Sequence, residues 1–310
     1  MTEPASSETR RLSVAIPVYN FGGFLPQTLD SILDQALEEN VEVLVFDGGS
    51  TDNTRLIAAG YAKRYPNFRY VRALRKGGID ADMARCVELA GTPYCWLFSG
   101  DDVMRPGAIR TVSQALQLWQ PDLLLCRHNE CLVDMTVLED WPVLSIKADR
   151  LFELDKQQDR RAYLEAAASS EAFFSFMGGL VVNRYTWFKG KLTTSFKGSN
   201  WAHIGRLWKL TGSPFKLGYI HAPLLDRRGG NDSFSSGGML SRLDIQINGL
   251  LGIIEEIYGE NSFEMSQLKR VVRSEVDPHW SNAVRHDLQS KGGSAEDFAH
   301  LKRMLARVRT

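Results

Sequence analysis

At 310 residues the chain suits one large domain, or a domain with an appended region. Apolar residues make up 44% and charged residues 24%, the balance of an ordinary folded protein. Lys plus Arg and Asp plus Glu stand at 37 each, so the chain lacks the basic excess of a general nucleic-acid binder, and no nucleic-acid partner is expected.

The opening MTEPASSETRR has no apolar core of the kind a signal peptide carries. Residues 1–11 are therefore expected to be a disordered lead, and the protein cytoplasmic. LSVAIPV (12–18) predicts a first strand, and YNFGGFLPQ after it is a turn signal. Leu25, Leu29, Ile32, Leu33 and Leu37 recur at helical spacing. VEVLVF (41–46) predicts a second strand, and DGGSTDNT after it is rich in loop and helix-cap residues. A helix over 53–64, a strand at FRYVRAL, a loop at RKGGIDAD, a helix at MARCVELA and a strand at YCWLF follow. Further on, a helix is predicted over 107–119, a strand region over 122–133, a short strand at MGGLVVN and a helix over 198–212. A strand or two ending in the Gly-rich loop RRGGNDSF completes this part. From about residue 239 the pattern turns to helices with Lys and Arg. No apolar run approaches the ~20 residues of a membrane-spanning helix. Cys86, Cys95, Cys126 and Cys131 form no C-x-x-C pair and are expected to be buried thiols in a reducing compartment.

Strand and helix alternate about four times in the first hundred residues, which predicts a mostly parallel sheet with helices on its faces. Ligands in such sheets bind at the carboxyl ends of the strands. Four polar clusters fall there: Tyr19-Asn20, Asp47 to Asp52, Asp80 with Asp82, and Asp101-Asp102. Taken alone, SGDD (99–102) reads equally as a polar turn or a cap for the helix from Pro106. Four loops carrying polar groups at one edge favour a ligand site.

IPVYN, DGGSTDNT, GGIDAD and SGDD, in that order, resemble the nucleotide-sugar half of family 2 glycosyltransferases, which have the GT-A fold. GSNWAH and RRGGNDSF are similar to a bacterial polysaccharide subgroup typified by abequosyltransferases. The resemblance covers about residues 12–235. It implies a nucleotide-sugar-binding half (12–125), an acceptor-binding half (126–238) and a C-terminal helical extension (239–310). The implied activity moves a sugar from a nucleoside-diphosphate donor to a glycan or lipid-linked glycan. Inversion at the sugar and dependence on Mn2+ or Mg2+ are expected with it. A divalent cation suits this chemistry because the leaving diphosphate departs with negative charge that the cation neutralises.

The resemblance also assigns residues. Pro17, Tyr19 and Asn20 would line the base, and Asp47 would accept a base N–H, with Gly49 in the same loop. Asp82, or Asp80 beside it, would bind base or ribose. Ser50, Thr51 and Asp52 double as a helix cap. Gly100 is the spacer of a D-x-D-like pattern in which Ser99 replaces the first Asp; Asp101 and Asp102 would hold the metal. Arg227 and Arg228 would grip the diphosphate. At the position where inverting members commonly carry an acidic base stands Asn200. His203, three residues on and with a pKa near neutrality, is the candidate base. Asp226, Glu130 and Asp232 are alternatives, and a structural histidine is the competing reading. Trp201 is read as an acceptor-stacking residue or a core tryptophan.

Two other enzymes are disfavoured, since YNFGGFLPQ has neither the basic Gly-rich loop of a sugar-1-phosphate nucleotidyltransferase nor the G-x-G-x-x-G of a dehydrogenase. A non-catalytic nucleotide-sugar binder stays open because Ser99, Gly48 and Asn200 depart from acidic family positions. Phe298, Leu301, Met304, Leu305 and Val308 fall along one side of the last helix. That helix could pack on the domain or a homodimer partner, or lie on the inner face of the cytoplasmic membrane.

Overall fold

A computed structural model describes residues 10–191, 194–231, 237–276 and 278–309. Most of the expected lead and the alternative base Asp232 lie outside these residues. The elements run β1 (Leu12–Val18), α1 (Leu25–Glu38), β2 (Glu42–Asp47), α2 (Thr54–Ala62), β3 (Phe68–Arg72), α3 (Ile79–Leu89), β4 (Tyr94–Leu97), β5 (Val103–Met104) and α4 (Ala108–Trp119). Then come β6 (Leu123–Cys131), β7 (Val137–Asp140), β8 (Arg150–Glu153), α5 (Gln157–Ala166), β9 (Leu180–Asn183), α6 (Arg184–Lys189), α7 (Ala202–Trp208) and β10 (Lys216–Arg228). The C-terminal part is α8 (Gly238–Asp244), α9 (Leu250–Tyr258), α10 (Phe263–Glu275), α11 (Pro278–Ser290) and α12 (Ala295–Arg309).

The strands make one sheet in the order β3-β2-β1-β4-β9-β6-β10-β5, with β7 on β6 and β8 on β10. β3, β2, β1 and β4 pair in parallel, as the alternating pattern predicts. The second half corrects "mostly parallel" to mixed. β9 runs antiparallel between β4 and β6, and β5, β7 and β8 also pair antiparallel. The reason is connectivity: antiparallel neighbours such as β6 and β7, joined by a short return, need no crossover helix, so the parallel rule does not bind them.

Side chains alternate between two cores, as the period of a strand requires. Val14, Ile16, Val43, Val45 and Trp96 face α1, α2 and α4, while Ala15, Leu44, Phe46, Cys95 and Leu97 face α3, α7 and the C-terminal helices. The helical extension is thus part of the main core. In α12, Leu301, Met304, Leu305 and Val308 are buried, and the helix packs on α10, α8, α11 and residues 245–249. Packing therefore replaces the membrane reading of this helix, because the face that would enter lipid is already covered. None of the described helices is long and apolar enough to cross a membrane. All four cysteines are buried and free.

Candidate active site

The chain leaves β1 toward β2 and β3 on one side and toward β4 on the other, so the sheet reverses its order between β1 and β4. A crevice opens beyond the carboxyl ends there. Gly100 sits in it. A Cβ at Gly100 would come within 2.6 Å of Val18 Cγ1 and 3.1 Å of the Phe21 ring, so only glycine lets this turn approach the end of β1. Thr28 fixes the turn from α1 by donating to the Gly100 carbonyl at 3.0 Å.

Asp101 and Asp102 follow, 7% and 2% exposed. Asp101 accepts from the Ser99 hydroxyl through Oδ1 and from Asn231 Nδ2 through Oδ2. Asp102 Oδ1 accepts from the Arg228 backbone N–H, whereas its Oδ2 is buried with no partner among the described residues. Burial, and then the neighbouring Asp101 charge, push the Asp102 carboxyl up to about 7. Two adjacent carboxylates with one orphaned oxygen fit a hard divalent cation. Such a cation takes one or two protein carboxylates and completes its shell with phosphates and water. No cluster of three or more metal-ligating side chains is gathered among the described residues, so phosphate would have to supply part of that shell.

Arg228 corrects the sequence expectation. It is 7% exposed, and its guanidinium donates to the carbonyls of Asp101 and Val133 and to Gln27 Oε1. With those nitrogens committed, it holds the Asp101-Asp102 turn and has no free edge for a diphosphate. Strand β5 explains the proximity, since its antiparallel pairing lays Val103 beside Asp226. Arg227 does face the crevice, tethered to Glu130 Oε2 at 2.9 Å. Asp226 is likewise taken up, by Arg105 and Asn129.

The loop after β2 also differs from expectation. Asp47 is fully buried, and both its oxygens are occupied. Oδ1 accepts from the N–H groups of Gly49 and Ser50 at 3.0 and 2.7 Å; Oδ2 accepts from the Tyr70 hydroxyl at 2.5 Å and lies 3.6 Å from Arg72. It therefore builds the loop and offers no lone pair outward. Gly49, at φ +95°, supplies the left-handed bend. Asn20, at φ +60°, ties the first loop to this one by accepting from Thr51 N–H at 2.8 Å, and Pro17 is buried in β1. Tyr19 is half-buried, with the Lys76 ammonium 4.0 Å from its ring centre.

GGIDAD is not all loop. Helix α3 begins at Ile79, which places Asp80 and Asp82 in its first turn, where a helix favours carboxylates. The two diverge in role. Asp82 lies against Gly48, where a Cβ would be 2.6 Å from Asp82 Oδ2; burial, and then Asp47, raise its carboxyl to about 6. Asp80 turns to the loop before α7. Its Oδ2 accepts from the N–H groups of Gly198 and Asn200 at 2.9 and 3.1 Å, and its Oδ1 from Ala202 at 3.1 Å. That corrects Asp80 from a nucleotide ligand to the clamp that shapes the loop before α7, where Asn200 adopts φ +68°.

A cavity of about 330 Å³ joins these parts, bordered by Asp101, Asp102, Asn200, Trp201, His203 and Arg227 among others. His203 is 3% exposed; its Nε2 donates to the Phe174 carbonyl at 3.0 Å, which leaves Nδ1 as a buried acceptor without a partner among the described residues. Burial lowers its pKa to about 4, so it is neutral at physiological pH and a far weaker base than an ordinary histidine. Trp201 is 9% exposed, and its indole N–H donates to the Ile245 carbonyl at 2.8 Å. That carbonyl belongs to a π-turn over Ile245–Gly249, between α8 and α9. A larger cavity, about 640 Å³, lies at the opposite edge of the sheet against Arg10, Arg11 and Arg110 and holds none of these groups.

Sequence reasoning missed one group entirely. His128, on β6, contacts both oxygens of Glu171 at 2.9 and 3.0 Å; Glu275, from α10, accepts from Ser170 N–H at 2.7 Å. The available signal was CRHNE, a polar run inside an otherwise buried strand.

Residues 13–133 match the model of "Glycosyl transferase family 2". Abequosyltransferase RfbV of Salmonella typhimurium is 28% identical over 255 residues, 81% of this chain and 76% of the relative. The poly(ribitol-phosphate) beta-glucosyltransferase of Bacillus spizizenii is 30% identical over 32% of this chain and 16% of its own. Among solved structures, S. aureus TarS 1–349 in complex with UDP-GlcNAc superposes with a TM-score of 0.63 at 13% identity, covering 96% of this chain and 80% of that one. Mannosyltransferase PcManGT from Pyrobaculum calidifontis, in complex with GDP-Man and Mn2+, gives 0.53 at 14%, covering 97% and 86%. On the carboxyl-edge crevice, the matched domain and the shared architecture, the chain is a glycosyltransferase of GT-A fold, carrying a family 2 domain over residues 13–133.

Proposed function

We propose that this protein transfers a sugar from a nucleoside-diphosphate donor to a hydroxyl of a glycan or lipid-linked glycan, with inversion, in the cytoplasm, during synthesis of a bacterial surface polysaccharide. The observation that carries the donor side is the orphaned, buried Asp102 Oδ2 beside Asp101 at the reversal point of the sheet. Mn2+ or Mg2+, when bound, supplies positive charge against the leaving diphosphate. Asp101 and Asp102 would hold it, and Arg228 keeps both in place through the backbone and side-chain bonds described above. Asp82, set close to Gly48, accepts from the base or ribose once ionised. Arg227 offers the diphosphate a cation oriented by Glu130.

On the acceptor side, neutral His203 presents Nδ1 as a hydrogen-bond acceptor for a sugar hydroxyl. It orients that hydroxyl, and with its pKa near 4 it takes the proton only as the hydroxyl oxygen bonds to the anomeric carbon and the diphosphate departs. Asn200 and Trp201 wall the same cavity.

The test is a thermal-shift screen of nucleoside diphosphates with and without Mn2+, on wild type and Asp101→Ala. Stabilisation by one diphosphate that needs the metal and disappears in the variant is expected. Metal-independent stabilisation, retained in Asp101→Ala, would refute the metal assignment. Proton NMR of the product's anomeric signal against that of the donor tests inversion.

A further inference from the structure

We propose that a second cavity, about 360 Å³ and adjoining the first, seats the acceptor sugar and selects a neutral ring over a phosphorylated one. This rests on the sugar-transfer reading above. The two cavities share Phe176, Trp201 and Arg227 as walls, so a ring in the second lies next to the donor crevice. Its other walls combine two tryptophans, Trp141 and Trp280, with two carboxylates, Glu171 and Glu275. A pyranose has apolar C–H faces and a rim of hydroxyls. Aromatic surfaces cover the former, and carboxylates and indole N–H groups pair with the latter.

The wall is built and rigid. The His128 ring is in contact with Trp141 (centroids 6.3 Å apart, 16° between planes) and with Phe176 (4.6 Å), and it grips Glu171 through Nε2. Burial opposes a charge on His128, but Glu171 outweighs it and raises the imidazole's pKa. Glu275 is fixed by Ser170 N–H and by Gln246 at 2.9 Å. Two groups lack partners. The Trp141 indole nitrogen is buried without one among the described residues, and so is His203 Nδ1 across the shared wall. Buried polar atoms without partners are uncommon in folded proteins and point to a ligand or ordered water.

The charges set the selectivity. Arg227 is neutralised by Glu130, and His128 by Glu171. Arg242 and Glu275 add one group of each sign to the wall, so its formal charges balance and give a phosphate no surplus; burial raises the Glu275 carboxyl, and the hydrogen bonds from Ser170 and Gln246 oppose that rise.

The experiment uses the whole protein labelled with 15N. Its seven tryptophans give seven indole signals, and the one missing from Trp141→Phe is assigned to Trp141. Methyl glycosides of neutral hexoses and 6-deoxyhexoses should shift that signal, and hexose 6-phosphates should not. Trp141→Phe and Glu171→Gln should each weaken glycoside binding about 3- to 10-fold, the loss of one hydrogen bond. The Mn2+-dependent thermal shift with nucleoside diphosphate should stay unchanged in both. A Trp141 signal unmoved by every neutral glycoside, or moved equally by the phosphates, overturns the proposal. Failure of nucleoside diphosphates to bind wild type would instead overturn the donor reading, since the indole signal reports on the sugar alone.

Discussion

Asp80→Ala separates the clamp assigned here from the nucleotide ligand that the sequence pattern suggests. The carboxylate holds three backbone N–H groups of the loop 198–202, at 2.9, 3.1 and 3.1 Å. Hydrogen bonds to a charged acceptor contribute about 1.5–3 kcal/mol each, but Asp80 is half-exposed and the freed amides can turn to water. Discounting for that, roughly 1 kcal/mol per bond remains, about 3 kcal/mol in all. The loss is local. Asn200 leaves its left-handed conformation, Trp201 loses its seat, and exposed Lys197 becomes a cleavage point. Limited trypsinolysis should therefore cut after Lys197 faster than in wild type, roughly 100-fold if the full 3 kcal/mol goes into opening the loop. Acceptor KM should rise, while the thermal shift with nucleoside diphosphate and Mn2+ stays as in wild type. The reasoning is refuted if Asp80→Ala loses the diphosphate shift and resists trypsin as wild type does.

Gly100→Ala should lower stability by about 1–3 kcal/mol and weaken the metal-dependent diphosphate shift, because its Cβ meets Val18 and Phe21. Calorimetry of the apo protein and titration with Mn2+ check the two effects. His203 has a folded pKa of about 4, below its ordinary value, so folding favours its neutral form and stability falls as pH drops from about 6.5 through 4. His203→Gln should flatten that loss in pH-dependent denaturation curves, and NMR should show the ring unprotonated at pH 6. Asp82 has the opposite sign for a carboxyl. Its folded pKa of about 6 lies above the ordinary value, so its ionisation destabilises the fold as pH rises from about 4 through 6. Asp82→Asn should raise the midpoint of thermal unfolding at pH 8 and leave it unchanged at pH 3.5.

Much of the N-terminal part, from β1 to β4, could be read from local pattern. β1 to β4 are short apolar runs ending in turn residues, and the loops after them meet because parallel strands put their carboxyl ends on one edge. What each carboxylate does there was not legible. Asp47 is an inward-facing loop builder because Tyr70 and Arg72, on the neighbouring strand β3 beyond α2, close on it. Asp80 and Asp82 differ by two positions and point to different halves, since they sit about 200° apart on α3. Arg228 looked like a phosphate ligand because nothing in RRGGNDSF reveals that β10 lies against β5. The second cavity was illegible for the same reason. Trp141, Glu171 and Glu275 come from three distant segments, and no motif links them.

The π-turn at Ile245–Gly249 makes the C-terminal helices mechanically answerable to the loop before α7. Its irregular backbone receives the Trp201 indole, and Gly249 is pressed so close that a Cβ there would lie 2.9 Å from the ring. A straight α-helical register would withdraw that socket. Trp201 lies between the Asn200 and Ala202 N–H groups that Asp80 clamps, so one short segment couples α3 to α8 and α9. Deleting residues 239–310 would thus remove the seat of Trp201 as well as part of the core, and substitutions at Ile245 or Gly249 would reach the cavity wall through that indole.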